Sequence, residues 1–365
     1  MTAEVIERLE DIETSELEVK SPTADPSDLV VRNQLFRTHP VKTRWFQIAT
    51  PPIRSAFTEM CHVVASGAPC CAFVAFPRVG KSSCCAYCKQ RLEEAFPGIP
   101  CFRFHANHED TRSMATRRLF FRDLLQKSLG VEIPLGTKKD LQQLLVRTWW
   151  GRARESDSDT IVLLADEMQA LSADHYSWLI DITNDLHNLN TRVITILFGQ
   201  PQLIDLRDTL RRIGRGDILG RFMTRIFPFE GITTPTELQT VMNAYDDPTE
   251  LEYPEGSGWA FTRFFLPKAY SNGFRLANQA ADCWSIFQEL GATALSASHL
   301  SKLSIGMEWI AGTFQYLLFH STDADHLKFK ITLTDWREAV RSTGWVKSLS
   351  DIHSPHMADE LWKPK

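Results

Sequence analysis

Five short apolar runs, CCAFVAF, CFRFHA, TIVLLADE, RVITILFGQ and RIFPFEGI, alternate along the first two thirds of the chain with longer amphipathic stretches. Each run has the length and bounds of a buried strand, and each intervening stretch has helical periodicity. The predicted helices are IRSAFTEMCHVV, SSCCAYCKQRLEEAF (stopping before Pro97 and Gly98), TRRLFFRDLLQKSLG, KKDLQQLLVRTWWGRAR and HYSWLIDITNDLHNL. Strand and helix in that rhythm require right-handed crossovers and a parallel sheet covered on both faces, an α/β architecture. After RIFPFEGI the pattern turns mostly helical (TPTELQTVMNAY, GWAFTRFFLPKAY, FRLANQAADCWSIFQEL, HLSKLSIGMEWIAGTF, LTDWREAV), with DDPTELEYPEGSG read as a surface loop. The expected organisation is an acidic tail over 1–33, an α/β domain over 34–231, a smaller helical domain over 232–345 and a C-terminal tail over 346–365.

The formal charge of −5 argues against a wholesale nucleic-acid binder, but it is unevenly spread. Nine acids and two bases between Met1 and Asp28 give that segment −7, leaving the remainder near +2. The segment lacks sustained apolar periodicity and is expected to stay mobile in isolation. The N-terminus shows no positively charged, apolar leader, and WIAGTFQYLLF is too short to span a bilayer, so a cytoplasmic protein is expected. Eight cysteines, some adjacent (Cys70 and Cys71, Cys84 and Cys85), do not form a secreted disulfide pattern. Cys84, Cys85 and Cys88 read as small buried groups on a helix rather than metal ligands. His105, His108 and Glu109 read as a polar loop at a strand end, because no partner pair sits at zinc spacing.

Residues 75–83, AFPRVGKSS, follow the first apolar run and precede a helix. Gly80, Lys81 and Ser82 fit the phosphate-binding pattern G-x-x-x-x-G-K-[ST], while Ala75 stands where its first glycine would be. Alanine is tolerated there if its φ is negative. Backbone N–H groups of Pro77–Ser83 other than the proline, with the helix N-terminus, would cradle an anion; Pro77, Arg78, Val79, Gly80, Lys81, Ser82 and Ser83 are the candidate nucleotide contacts. Lys81 would neutralise the outer phosphates and the Ser82 hydroxyl would ligate Mg²⁺. The run IVLLADE ends in Asp166 and Glu167. One carboxylate would hold the Mg²⁺ shell and the next would polarise an attacking water. ATP and Mg²⁺ are therefore the expected cofactors.

With strand VITILFGQPQL, the Arg-rich GRGDILGRFMTRIFPF and a helical region carrying SNGFRL, these motifs resemble the AAA+ superfamily, over roughly residues 40–345. Within it, the GQPQL ending and the following Arg-Phe box resemble the TnsC/TniB regulators of DNA transposition and the ExeA-type secretion ATPases. The resemblance implies that Gln200 is the γ-phosphate sensor, although a glutamine there could also cap the turn before Pro201. It implies that Arg221 or Arg225 is a finger reaching a neighbour's nucleotide, with Arg211, Arg212 and Arg215 as alternatives, and hence an oligomer. Arg275 would be the lid's nucleotide-contacting arginine. It further implies rings or filaments on duplex DNA, linking a TniQ/TnsD-type target selector to a TnsB-type transposase. Arg112, Arg117 and Arg118 would track phosphates in the pore, with Lys138 and Lys139 as further candidates; ordinary solvated helix arginines would look the same. Trp362 is a candidate docking anchor. Alternatives are an ExeA-like secretion motor, which by resemblance carries a membrane segment and a peptidoglycan-binding part, a nucleotide-gated scaffold without useful hydrolysis, and a replication-initiator or clamp-loader relative.

Overall fold

The structure, a computed structural model, describes residues 26–106, 116–134 and 136–352, the side chains to 349. Five strands, β1 (Cys70–Val74), β2 (Cys101–His105), β3 (Thr160–Asp166), β4 (Arg192–Gly199) and β5 (Ile226–Pro228), form one sheet in the order β2-β3-β4-β1-β5. Every pairing is parallel, as the alternation of strands and helices requires. β1 lies between β4 and β5: its Val74 is beside Gly199 of β4 and Pro228 of β5. On the other side of β4, Ala165 of β3 pairs with Leu197, and Asp166 pairs with His105 of β2. The carboxyl ends of β2, β3, β4 and β1 therefore open along one edge of the sheet, where ligands of open α/β sheets bind.

Alternate residues of each strand feed two cores. Helices α1 (Pro51–Ser66) and α2 (Lys81–Ala95) cover one face, where Met60, Val63, Cys84, Cys85, Cys88 and Leu92 meet Phe73, Val162, Leu164, Ile196 and Phe198. Helices α3 (Arg117–Leu129), α4 (Lys138–Glu155), α5 (Ala173–Asn188), α6 (Gln202–Arg212) and α7 (Gly216–Phe222) supply the other face. There Phe120, Leu145, Trp149, Tyr176 and Ile182 pack with Phe102, Phe104, Ile161, Leu163 and Ala165. The cysteines of α2 are fully buried free thiols, the packing role that their spacing suggested. Thr116 caps α3, and a Thr137/Asp140 capping box starts α4, so both helices begin where side-chain oxygens satisfy orphan N–H groups.

Two compact units emerge. One contains the sheet and runs over Gln47–Met242, Ala277–Leu317 and from Lys330 onward. The other gathers the described residues up to Phe46, Asn243–Leu276 and Leu318–Phe329. In this second unit, Asp28 caps helix Leu29–Leu35 through Val30 N at 2.7 Å. His39 is buried against Tyr253, Phe261, Phe264 and Phe265 at ring separations of 4.4–4.8 Å. The acidic segment expected as a surface loop is partly built into this aromatic core. Leu251 is buried, and Tyr253 Oη donates to Leu35 O at 3.1 Å.

The helical region is more broken than its periodicity suggests. GWAFTRFFLPKAY forms two helices, Phe261–Phe265 and Pro267–Ser271, because Pro267 has no N–H and pushes Leu266 out of the helical region. HLSKLSIGMEWIAGTF divides into Ala297–Leu300 and Met307–Ser321, with Ile305 between them bridging antiparallel to Ile232. Among the described residues no helix is long and apolar enough to cross a membrane.

Candidate functional site

Residues 75–80 leave β1 and turn into α2, whose N-cap is Gly80 at φ +117. Arg78 also has positive φ, at 66°. Left-handed residues alternating with right-handed ones aim successive N–H groups into a concavity, the backbone device of anion nests. Ala75 is not among the described residues of positive φ, which is the condition for alanine to replace the first glycine. Its N–H donates to Gly199 O at 3.0 Å, tying the loop's start to the end of β4.

Lys81 is 5% exposed and folds back along the loop, donating from Nζ to Phe76 O at 3.2 Å and Ala75 O at 3.5 Å. Burial lowers its pKa, while the negative charges of Glu167 and Asp166 oppose that shift. Ser82 Oγ donates to Asp166 Oδ2 at 2.6 Å, so loop and carboxylate meet although 84 residues separate them. Asp166 is fully buried. Burial pushes its pKa up, but hydrogen bonds from His105, Ser82 and the Glu167 N–H outweigh it and hold the carboxyl below its usual range. His105 Nδ1 lies 3.5 Å from Asp166 Oδ2.

Glu167, in the left-handed region at φ 58, turns the chain from β3 into a 3₁₀ turn, Met168–Ala170. Its Oε2 accepts Gln200 Nε2 at 3.0 Å and Gln169 Nε2 at 2.5 Å. Thus Lys81, Ser82, Asp166, Glu167 and Gln200 come together at the ends of β1, β3 and β4. A serine hydroxyl and a carboxylate 2.6 Å apart are the hard oxygen donors that Mg²⁺ accepts alongside waters and phosphate. Among the described residues no group of three His, Cys, Asp or Glu could hold a metal alone.

The remaining loop positions differ in exposure. Pro77, Arg78 and Ser83 are exposed, and Val79 is buried. Arg78 lies 3.4 Å from Glu308 and 4.9 Å from the Trp309 ring centre. Gly306 makes that approach possible, since a Cβ there would stand 2.6 Å from Arg78 O.

The candidate finger arginines lie on and after α6 and α7. Arg221 and Arg225 are exposed; Arg221 Nη1 donates to Thr183 Oγ1 at 3.1 Å, and Arg225 O accepts the Ala72 N–H at 2.8 Å. Arg211 pairs with Asp208 at 3.4 Å and Arg212 donates to Thr209 Oγ1 at 3.1 Å. Arg215 is held by Asp217 and Ser177, each at 2.8 Å. Arg275 belongs to the second unit, where it stacks 3.6 Å from the Tyr270 ring centre and donates to Tyr270 O and Phe274 O.

Of the DNA candidates, Arg112 lies outside the described residues, as do His108, Glu109 and Trp362. Arg117 ties three helices, pairing with Asp181 at 2.7 Å and donating to Gln142 at 3.0 Å. Arg118, Lys138 and Lys139 are exposed. Sequence reading missed Gln169, for which position two residues after Glu167 was the only signal. It also missed Glu308 and Trp309, which no spacing rule connects to a loop 230 residues away.

Residues 64–206 match a family model described as an AAA domain. A comparison with curated proteins gives no match. Similar solved structures include the ORC2 protein of Aeropyrum pernix in ADPNP-ADP complexes, with 12% identity, 83% of this chain and 95% of that chain covered, and a TM-score of 0.39. Drosophila ORC bound to DNA is similar at 12% identity over 91% of this chain, with a TM-score of 0.45; the chain spans 51% of that chain's length. Domain III of the replication initiation protein DnaA from Thermotoga maritima is similar at 12% identity, covering 80% of this chain and 92% of that one, with a TM-score of 0.41. The fold is AAA+, five parallel strands flanked by helices with a helical C-terminal region, and residues 64–206 are similar to an AAA domain. The family match and the strand order carry this; the structural likenesses are too remote to add to it.

Proposed function

We propose that this chain is a Mg²⁺-dependent ATPase that oligomerises on duplex DNA and regulates DNA transposition, linking a TniQ/TnsD-type target selector to a TnsB-type transposase. The observation that carries the ATPase reading is the meeting of Ser82, Asp166, Glu167 and Gln200 beside the loop of Gly80 and Lys81. In this reading the N–H groups of 78–83 and the Lys81 ammonium bind the β- and γ-phosphates. Ser82 and Asp166 would hold Mg²⁺, which supplies charge neutralisation on the phosphate oxygens. Glu167 accepts the proton of the attacking water, and the Gln200 amide orients that water or the γ-phosphate. Arg221 or Arg225, both exposed, would complete the site of a neighbouring copy, and Arg275 would reach nucleotide from the lid. The division into a nucleotide-binding domain over 34–231 and a lid over 232–345 belongs to the same reading.

The transposition reading is supported by the GQPQL segment that follows β4 and the Arg-Phe box before β5, which resemble the TnsC/TniB regulators. Duplex binding is supported by a charge near +2 outside the acidic N-terminal segment and by Arg118, Lys138 and Lys139 on the surface. Electron microscopy of the full chain with duplex DNA, with and without Mg-ATP and with a Lys81→Ala control, tests it. Rings or filaments that need nucleotide and Lys81 are expected. Monomers under every condition would overturn both the finger assignment and the DNA-loaded assembly.

A further inference from the structure

Gln169 stands between the two residues assigned to water activation and phosphate sensing. Its Nε2 donates to Glu167 Oε2 at 2.5 Å, and its Oε1 accepts the Gln200 backbone N–H at 3.0 Å. Gln200 Nε2 donates to the same Glu167 oxygen at 3.0 Å, which closes a hydrogen-bonded ring through all three residues. The amide orientation follows from the chemistry. A backbone N–H can only donate, so the Gln169 oxygen must face Gln200, and the Gln169 nitrogen is left facing the carboxylate.

The surroundings fit the ring. A Cβ on Gly199 would stand 3.1 Å from Gln169 Oε1 and 2.9 Å from Leu203 Cδ2, so the bare end of β4 is what admits the amide. The turn that carries Gln169 is anchored from below by the buried Tyr176, whose hydroxyl donates to Met168 O at 2.9 Å. A side chain bonded on both sides and mounted on an anchored turn transmits displacement between its partners rather than absorbing it.

We propose that Gln169 is a positioning residue that makes Glu167 and Gln200 act as one unit, so that a shift of Gln200 on meeting the γ-phosphate re-aims the Glu167 carboxylate. This rests on the ATPase reading above. In this proposal Gln169 acts through its bonds to Glu167 and Gln200 rather than by touching the water or the nucleotide. Its loss is therefore a kcat defect without a binding defect.

The test is Mg-ATP turnover by the full chain, with and without duplex DNA, alongside ADP affinity measured with a fluorescent ADP. The variants are Gln169→Leu, Gln169→Glu, Gln200→Leu and the double variant Gln169→Leu/Gln200→Leu. Gln169→Leu removes both hydrogen bonds at similar volume, and Gln169→Glu keeps the acceptor for Gln200 but loses the donor to Glu167. Both are expected to lower kcat by about 10²-fold with KM and ADP affinity within about twofold of wild type. The double variant is expected to be no slower than the slower single variant, because residues acting as a unit are not additive. If Gln169→Leu fails to bind ADP, Gln169→Glu decides. Turnover within about threefold of wild type in the ADP-binding Gln169 variants, or multiplicative losses in the double variant, overturns the proposal alone. A wild-type chain that binds ADP but never turns over ATP overturns the ATPase reading, and this inference with it.

Discussion

Lys81 has two carbonyls as partners, Phe76 O and Ala75 O, and two carboxylates near enough to influence its charge. A buried ammonium in that setting offers its charge to an anion, and its removal leaves the loop's N–H groups alone to offset the phosphate charge. Lys81→Ala is expected to weaken ATP and ADP binding by about 10²-fold in fluorescence titrations while the folding transition stays cooperative; unchanged affinity would contradict its role. His39 makes a different kind of claim. Burial among four aromatic rings pushes its pKa down to about 3, against 6.5 for the free side chain. The unfolded chain then binds a proton that the folded chain refuses anywhere between those values, so His39's contribution is fully present above pH 6.5 and is lost as pH falls toward 3. The expected slope is about 1.4 kcal/mol per pH unit within that window, measured by urea denaturation. His39→Phe should flatten it, and an equally steep slope in that variant would contradict the assignment.

Strands and the loop were legible because their signals are local. Each of CCAFV, TIVLLAD and RVITILFG is an apolar run whose alternate residues feed opposite cores, and the Gly-Lys-Ser triplet sits where a strand becomes a helix. Asp166 and Glu167 were legible for the same reason. What the pattern did not carry were encounters between distant segments. Nothing in HLSKLSIGMEW shows that Gly306 must lie against the carbonyl of Arg78, or that Tyr253 in an acidic loop would pack on His39. Gln169 was invisible because its meaning depends on where β4 ends in space, not on spacing. The close approach at Gly306 yields its own prediction. Since a Cβ would come within 2.6 Å of Arg78 O, Gly306→Ala must displace backbone on one side or the other. Loss of roughly 1–3 kcal/mol in stability and about tenfold in ADP affinity is expected, by thermal unfolding and titration. Full retention of both would show that the segment does not support the loop.

Over the whole molecule, charge separates the candidates for nucleic-acid binding. Arg117 is committed to Asp181 and Gln142, so its replacement would disturb the packing of α3, α4 and α5 and confuse any binding result. Arg118, Lys138 and Lys139, exposed on α3 and α4, are the cleaner set. Replacing all three by alanine is expected to weaken duplex binding with little dependence on sequence. The slope of log K against log salt should become shallower by about 0.9 for each phosphate that is no longer neutralised. An unchanged slope would place the DNA elsewhere. The central claim, that Lys81, Ser82, Asp166, Glu167 and Gln200 form one phosphoryl-transfer site, is tested most directly by Mg-ATP turnover of the wild type against Glu167→Gln, with nucleotide affinity measured on the same samples. Glu167→Gln is expected to bind ATP as the wild type does while its turnover falls by about 10²-fold or more. Equal turnover in the two proteins, or a wild type that binds no nucleotide, would contradict that claim.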